Sequence, residues 1–95
     1  MLVYKAMYQY LDEGGVAAQV LDFPGAISWG ETLDEARKML ASALEDMTES
    51  LLIDGEPLPR PDPKLTNPEA DIEEPIYLLF QGANFVRIVP VEVGT

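Results

Sequence analysis

The stretch FPGAISWGETLDEA, residues 23–36, holds the signals that end one strand and begin a long helix. Pro24 lacks an amide hydrogen for a strand ladder and Gly25 accepts turn geometry, so the preceding strand is predicted to end there. Thr32 is placed to cap a helix, because its hydroxyl can accept a hydrogen bond from the amide of Glu35 while the Glu35 carboxylate reaches back to the Thr32 amide. The stretch is therefore predicted to be a strand-to-helix joint rather than an active site.

After this joint the sequence predicts one long amphipathic helix. Gly30 is expected to let the chain turn into it. Apolar residues then recur at spacings of three and four, which predicts a stripe that faces a core. The stripe consists of Ala36, Leu40, Leu44, Met47 and Leu51. Gly55 is expected to close the helix as its C-terminal cap, and Pro57 to prevent it from restarting.

The segments before the joint predict a three-stranded antiparallel meander. Residues 2–11 alternate with a period of two, which is typical of a strand, and place three tyrosines on one face. The turn Asp12-Glu13-Gly14-Gly15 suits a tight reversal, because paired glycines tolerate positive φ. Residues 16–23 then form the second strand and residues 26–29 a short third one.

After the helix the sequence predicts an extended connection and a strand pair. Residues 55–75 contain six prolines and favour a polyproline-like conformation. So long a connection covers a sheet edge or a neighbouring subunit, or is mobile, and cover of a sheet edge is the favoured interpretation. Residues 76–93 predict two strands joined by a turn. Either the strand with IYLLF or the strand with FVRIVPVEV is expected to lie parallel to the first strand after a right-handed crossover. The other strand is expected to be available to another subunit.

Together these elements predict a single α+β domain over residues 1–95. The expected architecture is an antiparallel three-stranded meander, one long helix packed on the sheet, and one or two C-terminal strands (β-β-β-α-β-like). A chain of 95 residues has room for one core and only modest stability, so association with a copy of itself or with a partner is expected.

The charge of the chain restricts its partners. Seventeen acidic residues against six basic ones leave a net charge of -11, which repels nucleic acid and anionic lipid. Residues 31–56 hold eight acids and two bases, and this excess is either a solvated helix face or a docking surface for a basic protein. The chain has no cysteine, no signal-peptide pattern and no apolar run long enough to span a bilayer, so a cytoplasmic location is expected.

Few residue types capable of catalysis are present. The chain has no histidine and no cysteine, which removes the usual general base, nucleophile and transition-metal ligands. Asp22, Asp34 and Glu35 flank the joint and raise the alternative of a magnesium-dependent nuclease. However, residues 2–11 and 76–80 contain no carboxylate of the kind such sites draw from strand centres. We therefore expect no enzymatic activity, no metal and no cofactor.

The sole tryptophan, Trp29, lies where the short third strand meets the helix. Its ring is either packed over the helix or sheet, or it is a partly exposed anchor of a protein interface, where tryptophan is enriched. With Glu31 and Asp34 beside it, Trp29 is the candidate interface with a partner or a second copy.

Two strands joined by a Gly-rich turn, then FPGAISWGETLDEA, a helix and DGEPLPRP resemble the HicB-like antitoxin family over about residues 3–61. The specific elements are Phe23-Pro24-Gly25, Gly30, Thr32, Glu35-Ala36, and Gly55 with Pro57-Leu58-Pro59. The resemblance implies a partial ribonuclease-H-like fold that has lost the catalytic acids, and a partner, a small basic ribonuclease toxin of the HicA type. Many family members carry a second, DNA-binding domain. Nothing after Pro61 resembles one, so a stand-alone domain without operator binding is expected.

Two functional hypotheses follow. In the first, the protein is an antitoxin that neutralises a HicA-like mRNA-cleaving toxin by covering it. In the second, it is a stand-alone, self-associating HicB-like module with no toxin partner.

Overall fold

The structure, a computed structural model, describes residues 2–81 and 85–90. In this part of the chain the elements follow the order β-β-β-α-β-β. They are β1 (Leu2–Tyr10), β2 (Val16–Val20), β3 (Ile27–Gly30), α1 (Leu33–Ile53), β4 (Ile72–Gln81) and β5 (Phe85–Pro90).

The five strands form one sheet in the order β3-β2-β1-β4-β5, and every neighbouring pair is antiparallel. The predicted α+β fold class is confirmed: a three-stranded meander is followed by one long helix packed on the sheet and then by further strands. The strand that joins β1 is β4, which contains the residues IYLLF, and β5 pairs with β4 in the same chain. It is therefore not left over for another subunit. The predicted end of the strand pair at residue 93 lies outside the described residues.

The predicted parallel arrangement of the first strand and the strand after the helix is wrong, because β4 runs antiparallel to β1. The proline-rich connection explains the difference. Its start lies beside Tyr4, whose hydroxyl donates to the carbonyl of Pro59 at 2.7 Å. Its end lies beside Tyr8, whose carbonyl accepts from the amide of Asp71 at 2.9 Å. The connection thus travels along β1 in the direction of β1, so β4 begins at the far end and runs back, and no right-handed parallel crossover exists.

The start of α1 carries the predicted cap in a modified form. The hydroxyl of Thr32 accepts a hydrogen bond from the amide of Glu35 at 3.1 Å, as expected. The Glu35 carboxylate, in contrast, accepts from the amide of Glu31 at 3.4 Å rather than from that of Thr32. The helix therefore begins where the sequence predicts, with the amide of Glu35 satisfied by the side chain of Thr32.

The end of α1 is closed by Gly55, whose φ of +71° is strained for residues with a Cβ atom. The amide of Gly55 donates to the carbonyl of Leu52 at 3.2 Å, and the amide of Glu56 donates to that of Leu51 at 2.8 Å. These are the two hydrogen bonds of a Schellman motif, so the predicted C-terminal cap is confirmed.

Gly30 has a different role from the one predicted. Its φ is not among the positive glycine values, whereas that of Gly25 is +91°. A Cβ atom at position 30 would lie 2.3 Å from the backbone nitrogen of Ala36. Gly30 is therefore needed so that β3 can approach the first turn of α1, and not for a turn of the chain.

The core lies between α1 and one face of the sheet. Tyr4, Ala6 and Tyr8 alternate along β1 and are buried as predicted, but Met7 between them is also buried, and Tyr10, the third tyrosine of that face, is 53% exposed. Tyr4 and Phe23 meet edge to face with ring centroids 5.2 Å apart, a favourable arrangement for aromatic pairs. The other core residues are Val16, Ala18, Val20, Ala26, Ala36, Leu40, Leu44, Ile76 and Leu78. Within the described ranges, no helix combines the length and the apolar character needed to cross a bilayer.

Candidate interaction surface

β3 forms one edge of the sheet and presents two apolar side chains to solvent. Ile27 is 62% exposed and Trp29 is 46% exposed. Their partners on β2 are Gln19 and Ala17, which lie between the buried residues of that strand. Because side chains alternate along a strand, Ile27 and Trp29 lie on the sheet face opposite α1.

The indole of Trp29 is held against the turn between β1 and β2. A Cβ atom at Gly15 would lie 2.2 Å from Cζ2 of Trp29, so only glycine leaves room for the ring. The ring thus packs against the turn, and nearly half of the residue remains exposed, so its role as an interface anchor stays a prediction.

Acidic residues surround this edge. Glu31 follows β3 directly, and Asp34 lies in the first turn of α1; both are exposed. Asp12 and Glu13 are exposed in the turn over which Trp29 lies. The structure thus leaves the three predicted interface residues open to solvent at the junction of β3 and α1.

The solvent side of α1 continues the acidic surface. Asp46 and Glu49 are exposed, as are the acids of the first turn, whereas Lys38 is the exposed base of this helix. The other base, Arg37, has one contact with Asp34 at 3.7 Å, but its main partner is Glu74. The acid excess predicted for residues 31–56 therefore faces solvent along the helix.

Two bases among the described residues, Lys5 and Arg37, are engaged in contacts within the chain. The Lys5 ammonium donates to the carbonyls of Pro63 and Leu65 at 2.9 and 2.7 Å. The Arg37 guanidinium donates to Glu74 through Nε at 3.2 Å and through Nη2 at 2.8 Å. These bases neutralise little of the outer acidic surface, because their charges are directed at internal partners.

The carboxylates considered for a nuclease do not converge. Asp22 is buried, and its two oxygens accept the amides of Lys5 at 2.9 Å and Asp62 at 2.8 Å. It therefore ties the proline-rich connection to β1, while Asp34 and Glu35 lie at the start of α1. In the part of the chain that the structure describes, no group of three or more acidic residues could hold a metal ion.

Two glutamates, Glu73 and Glu74, were expected in the connection, but both lie in β4. The missed signal is the alternation of Ile72, Glu74, Ile76 and Leu78, in which Glu74 occupies a position on the buried face. β4 therefore contains two carboxylates, at the second and third of its ten residues, in a stretch that was expected to belong to the connection.

These carboxylates have structural partners. The hydrogen bond to Glu74 raises the pKa of Arg37. Burial, together with the charge of Glu74, raises the pKa of Tyr8, whose ring centroid lies 5.8 Å from the guanidinium carbon of Arg37. Hydrogen bonds from the Thr66 hydroxyl and from the backbone keep the pKa of Glu73 below its usual value. The two glutamates thus fasten α1 and the proline-rich connection to the sheet.

A cleft of about 400 Å³ lies between β1, β4 and the proline-rich connection. Its polar lining includes Lys5, Asp22 and Glu73, all of which are already hydrogen-bonded to one another or to backbone groups. A small-molecule site requires polar groups that converge on a ligand, so the arrangement favours a structural role for this cleft.

Comparison with known proteins identifies the relatives of this chain. The sequence model of the UPF0150-like family matches residues 3–59, more than half of the chain. The crystal structure of the Burkholderia pseudomallei antitoxin HicB is similar, with a TM-score of 0.57, 24% sequence identity and 98% of this chain covered. The present chain spans 65% of the length of that antitoxin. No curated protein matches this sequence significantly. The chain therefore belongs to the UPF0150-like family and has the fold of the antitoxin HicB, which confirms its resemblance to the HicB-like antitoxins.

Proposed function

We propose that this protein is an antitoxin-type binding protein that covers a small basic HicA-like mRNA-cleaving toxin in the cytoplasm and thereby neutralises it. The observation that carries the proposal is the fold shared with the antitoxin HicB over 98% of this chain.

The electrostatics of the described surface support a basic partner. The chain carries a net charge of -11, and the acids of α1 face solvent while Lys5 and Arg37 are engaged internally. Such a surface attracts a basic protein and accelerates its association, and the attraction weakens as salt screens it. The residues proposed to make contact are Trp29, Glu31 and Asp34, together with the acids farther along the helix.

The chemistry of the carboxylates supports binding rather than catalysis. Asp22 and Glu74 are both buried and hydrogen-bonded into the fold, so neither is available to activate water. The proposal includes the partial ribonuclease-H-like origin that the resemblance implies, with steric cover in place of a lost active site.

The proposal is tested by co-expression with the product of a small basic reading frame next to this gene. We expect co-purification, rescue of growth and loss of mRNA cleavage. The charge reversals Asp46→Lys and Glu49→Lys together should weaken association by about tenfold at low salt, which corresponds to about 1.4 kcal/mol.

The matched control carries Glu69→Lys, which reverses one exposed acid outside residues 31–56 and is compared with Glu49→Lys alone. This control should bind nearly as tightly as the unmodified protein. Failure to capture any basic partner, or mRNA cleavage that continues unchanged in its presence, would argue against the antitoxin role.

The exposed pair Ile27 and Trp29 favours a second candidate function, a self-associating module with no toxin partner. An apolar sheet edge is a common site of association between copies of a chain. Sedimentation that shows a stable homo-oligomer, together with normal growth after deletion of the gene, would support this alternative.

A further inference from the structure

We infer that the outer edge of β3 is where the partner docks, and that it does so by adding an extended, basic segment as a sixth strand with Ile27 and Trp29 as apolar anchors. The inference rests on the proposed function, since it specifies how the basic partner is held.

The position of β3 in the sheet provides the template. β3 is the terminal strand in the order β3-β2-β1-β4-β5, and none of the described residues pairs with its outer side. An edge strand presents backbone donors and acceptors that a second chain can use. The residues Ile27–Gly30 include neither a proline nor a lysine, the residues that commonly block such an edge. The edge is therefore open to an added strand.

The two side chains of β3 suit the recognition of a strand. Ile27 and Trp29 are two residues apart and lie on one face, as required to contact alternate side chains of an added strand. Contact with the turn at Gly15 already fixes the indole of Trp29. Binding there loses less side-chain entropy than binding to a mobile residue does, which favours an anchor.

The charge around β3 determines the chemistry of the occupant. Residues 11–36, which include β2, β3 and the turns on either side of them, contain six acids and no base. Asp12, Glu13 and Glu31 are exposed beside the strand. A second copy carries the same net charge of -11 and the same acid-rich edge, and like charges across an interface are costly. A segment with lysine or arginine between apolar residues complements both the acidic charge around β3 and the apolar side chains of Ile27 and Trp29. The occupant is therefore a basic segment rather than a second copy.

The test uses a short synthetic peptide in which lysine and valine alternate, with a glutamate–valine peptide as its counterpart. Trp29 is the only tryptophan of the chain, so its fluorescence reports on this edge directly. We expect the basic peptide to shift Trp29 emission to shorter wavelength and to slow amide hydrogen exchange in residues 27–30. The acidic peptide should do neither.

Two variants test whether the basic peptide binds at the edge of β3. Ile27→Lys and Glu31→Lys should each weaken binding of the basic peptide by about tenfold or more. Their matched controls are Ile53→Lys, which changes an 84% exposed apolar residue at the end of α1, and Glu69→Lys in the proline-rich connection. Both controls should bind the peptide within about twofold of the unmodified protein.

The inference is overturned if the basic peptide does not bind, if it binds without slowing exchange in residues 27–30, or if the controls weaken binding as much as the β3 variants do. Protection of β3 that appears on concentrating the protein alone would assign the edge to a second copy instead. If a basic toxin is captured with an affinity that Ile27→Lys leaves unchanged, docking on β3 is wrong while the antitoxin role stands. If the peptide adds to β3 but no toxin is neutralised, the antitoxin role fails and the docking edge remains.

Discussion

Replacement of Arg37 by methionine should destabilise the fold strongly, because it breaks the ion pair that joins α1 to β4. The side chain of Glu74 is only 3% exposed, and Arg37 donates to it at 2.8 and 3.2 Å. Arg37→Met removes both donors and leaves the carboxylate buried without them. A carboxylate in that position loses its hydration without gaining a partner, so the free energy of unfolding falls.

The size of this loss depends on how far water can reach the ion pair between Arg37 and Glu74. Breaking a fully buried ion pair costs about 3–5 kcal/mol. The side chain of Arg37 is 21% exposed, so water can enter after the substitution, which places the expected loss near the lower limit, at about 3 kcal/mol. Loss of the contact between Arg37 and the Tyr8 ring adds less than about 1 kcal/mol. In a domain of this size the total corresponds to a fall in Tm on the order of 15 °C.

Urea unfolding, followed by far-ultraviolet circular dichroism and by Trp29 fluorescence, measures the effect. Lys38→Met is the matched control, since it removes the same charge from the next residue of the same helix, where the side chain is exposed. That control should change the free energy of unfolding by less than about 0.5 kcal/mol.

A double variant, Arg37→Met with Glu74→Leu, should recover most of the loss, because well-packed apolar residues replace a buried pair at little cost. The reasoning is refuted if Arg37→Met is no more destabilising than Lys38→Met, or if the double variant is less stable than Arg37→Met alone.

Three further predictions concern single positions. Gly30→Ala should lower the free energy of unfolding in urea by at least about 2 kcal/mol, because the new Cβ atom would lie 2.3 Å from the backbone nitrogen of Ala36. An unchanged urea midpoint would contradict this close approach. Thr48→Val should be neutral or stabilise by up to about 1 kcal/mol, because the buried hydroxyl has no hydrogen-bond partner among the described residues; a clear loss of stability would show that the hydroxyl is bonded. Tyr4→Phe should cost about 1 kcal/mol at neutral pH, because the hydroxyl donates to Pro59. Burial, together with the charge of Asp22, raises the pKa of Tyr4 to about 12. The protonated hydroxyl therefore stabilises the fold fully below about pH 10, the ordinary pKa of tyrosine, and this stabilisation is lost as the pH rises towards 12. Between these two pH values, the free energy of unfolding should therefore fall less for Tyr4→Phe than for the unmodified protein. An equal fall in both would exclude Tyr4 as the cause of this pH dependence.

The candidate interaction surface could be predicted from sequence only in part. The single tryptophan beside acidic residues, at the end of a short strand, was visible in the residues alone. That the indole rests on Gly15 could not be predicted, since the contact joins β3 to the turn between β1 and β2 and requires the register of β2 and β3. The openness of the β3 edge was equally hidden, because it depends on which strand ends the sheet.

The sequence by itself determined the elements whose signals are local. Pro24-Gly25 lies in the turn between β2 and β3, although β2 already ends at Val20; Thr32 begins the helix, and Gly55 closes it. Each of these residues acts through backbone angles or hydrogen bonds within a few positions of itself, so a short window of sequence contains the whole interaction. The period-two and helical patterns extend this information to the fold class, because burial of one face is encoded in the spacing of apolar residues.

Only the tertiary structure decided the direction of β4, the reason for Gly30 and the partner of Arg37. The direction of β4 depends on the path of the proline-rich connection along β1, and that connection has no periodicity from which its path could be deduced. Gly30 is only six residues from Ala36, but their close approach depends on how α1 packs against β3. Arg37 meets Glu74, 37 residues away, only because α1 packs on the sheet. Contacts of this kind stabilise the folded chain only after distant segments have met, so no local pattern of residues records them.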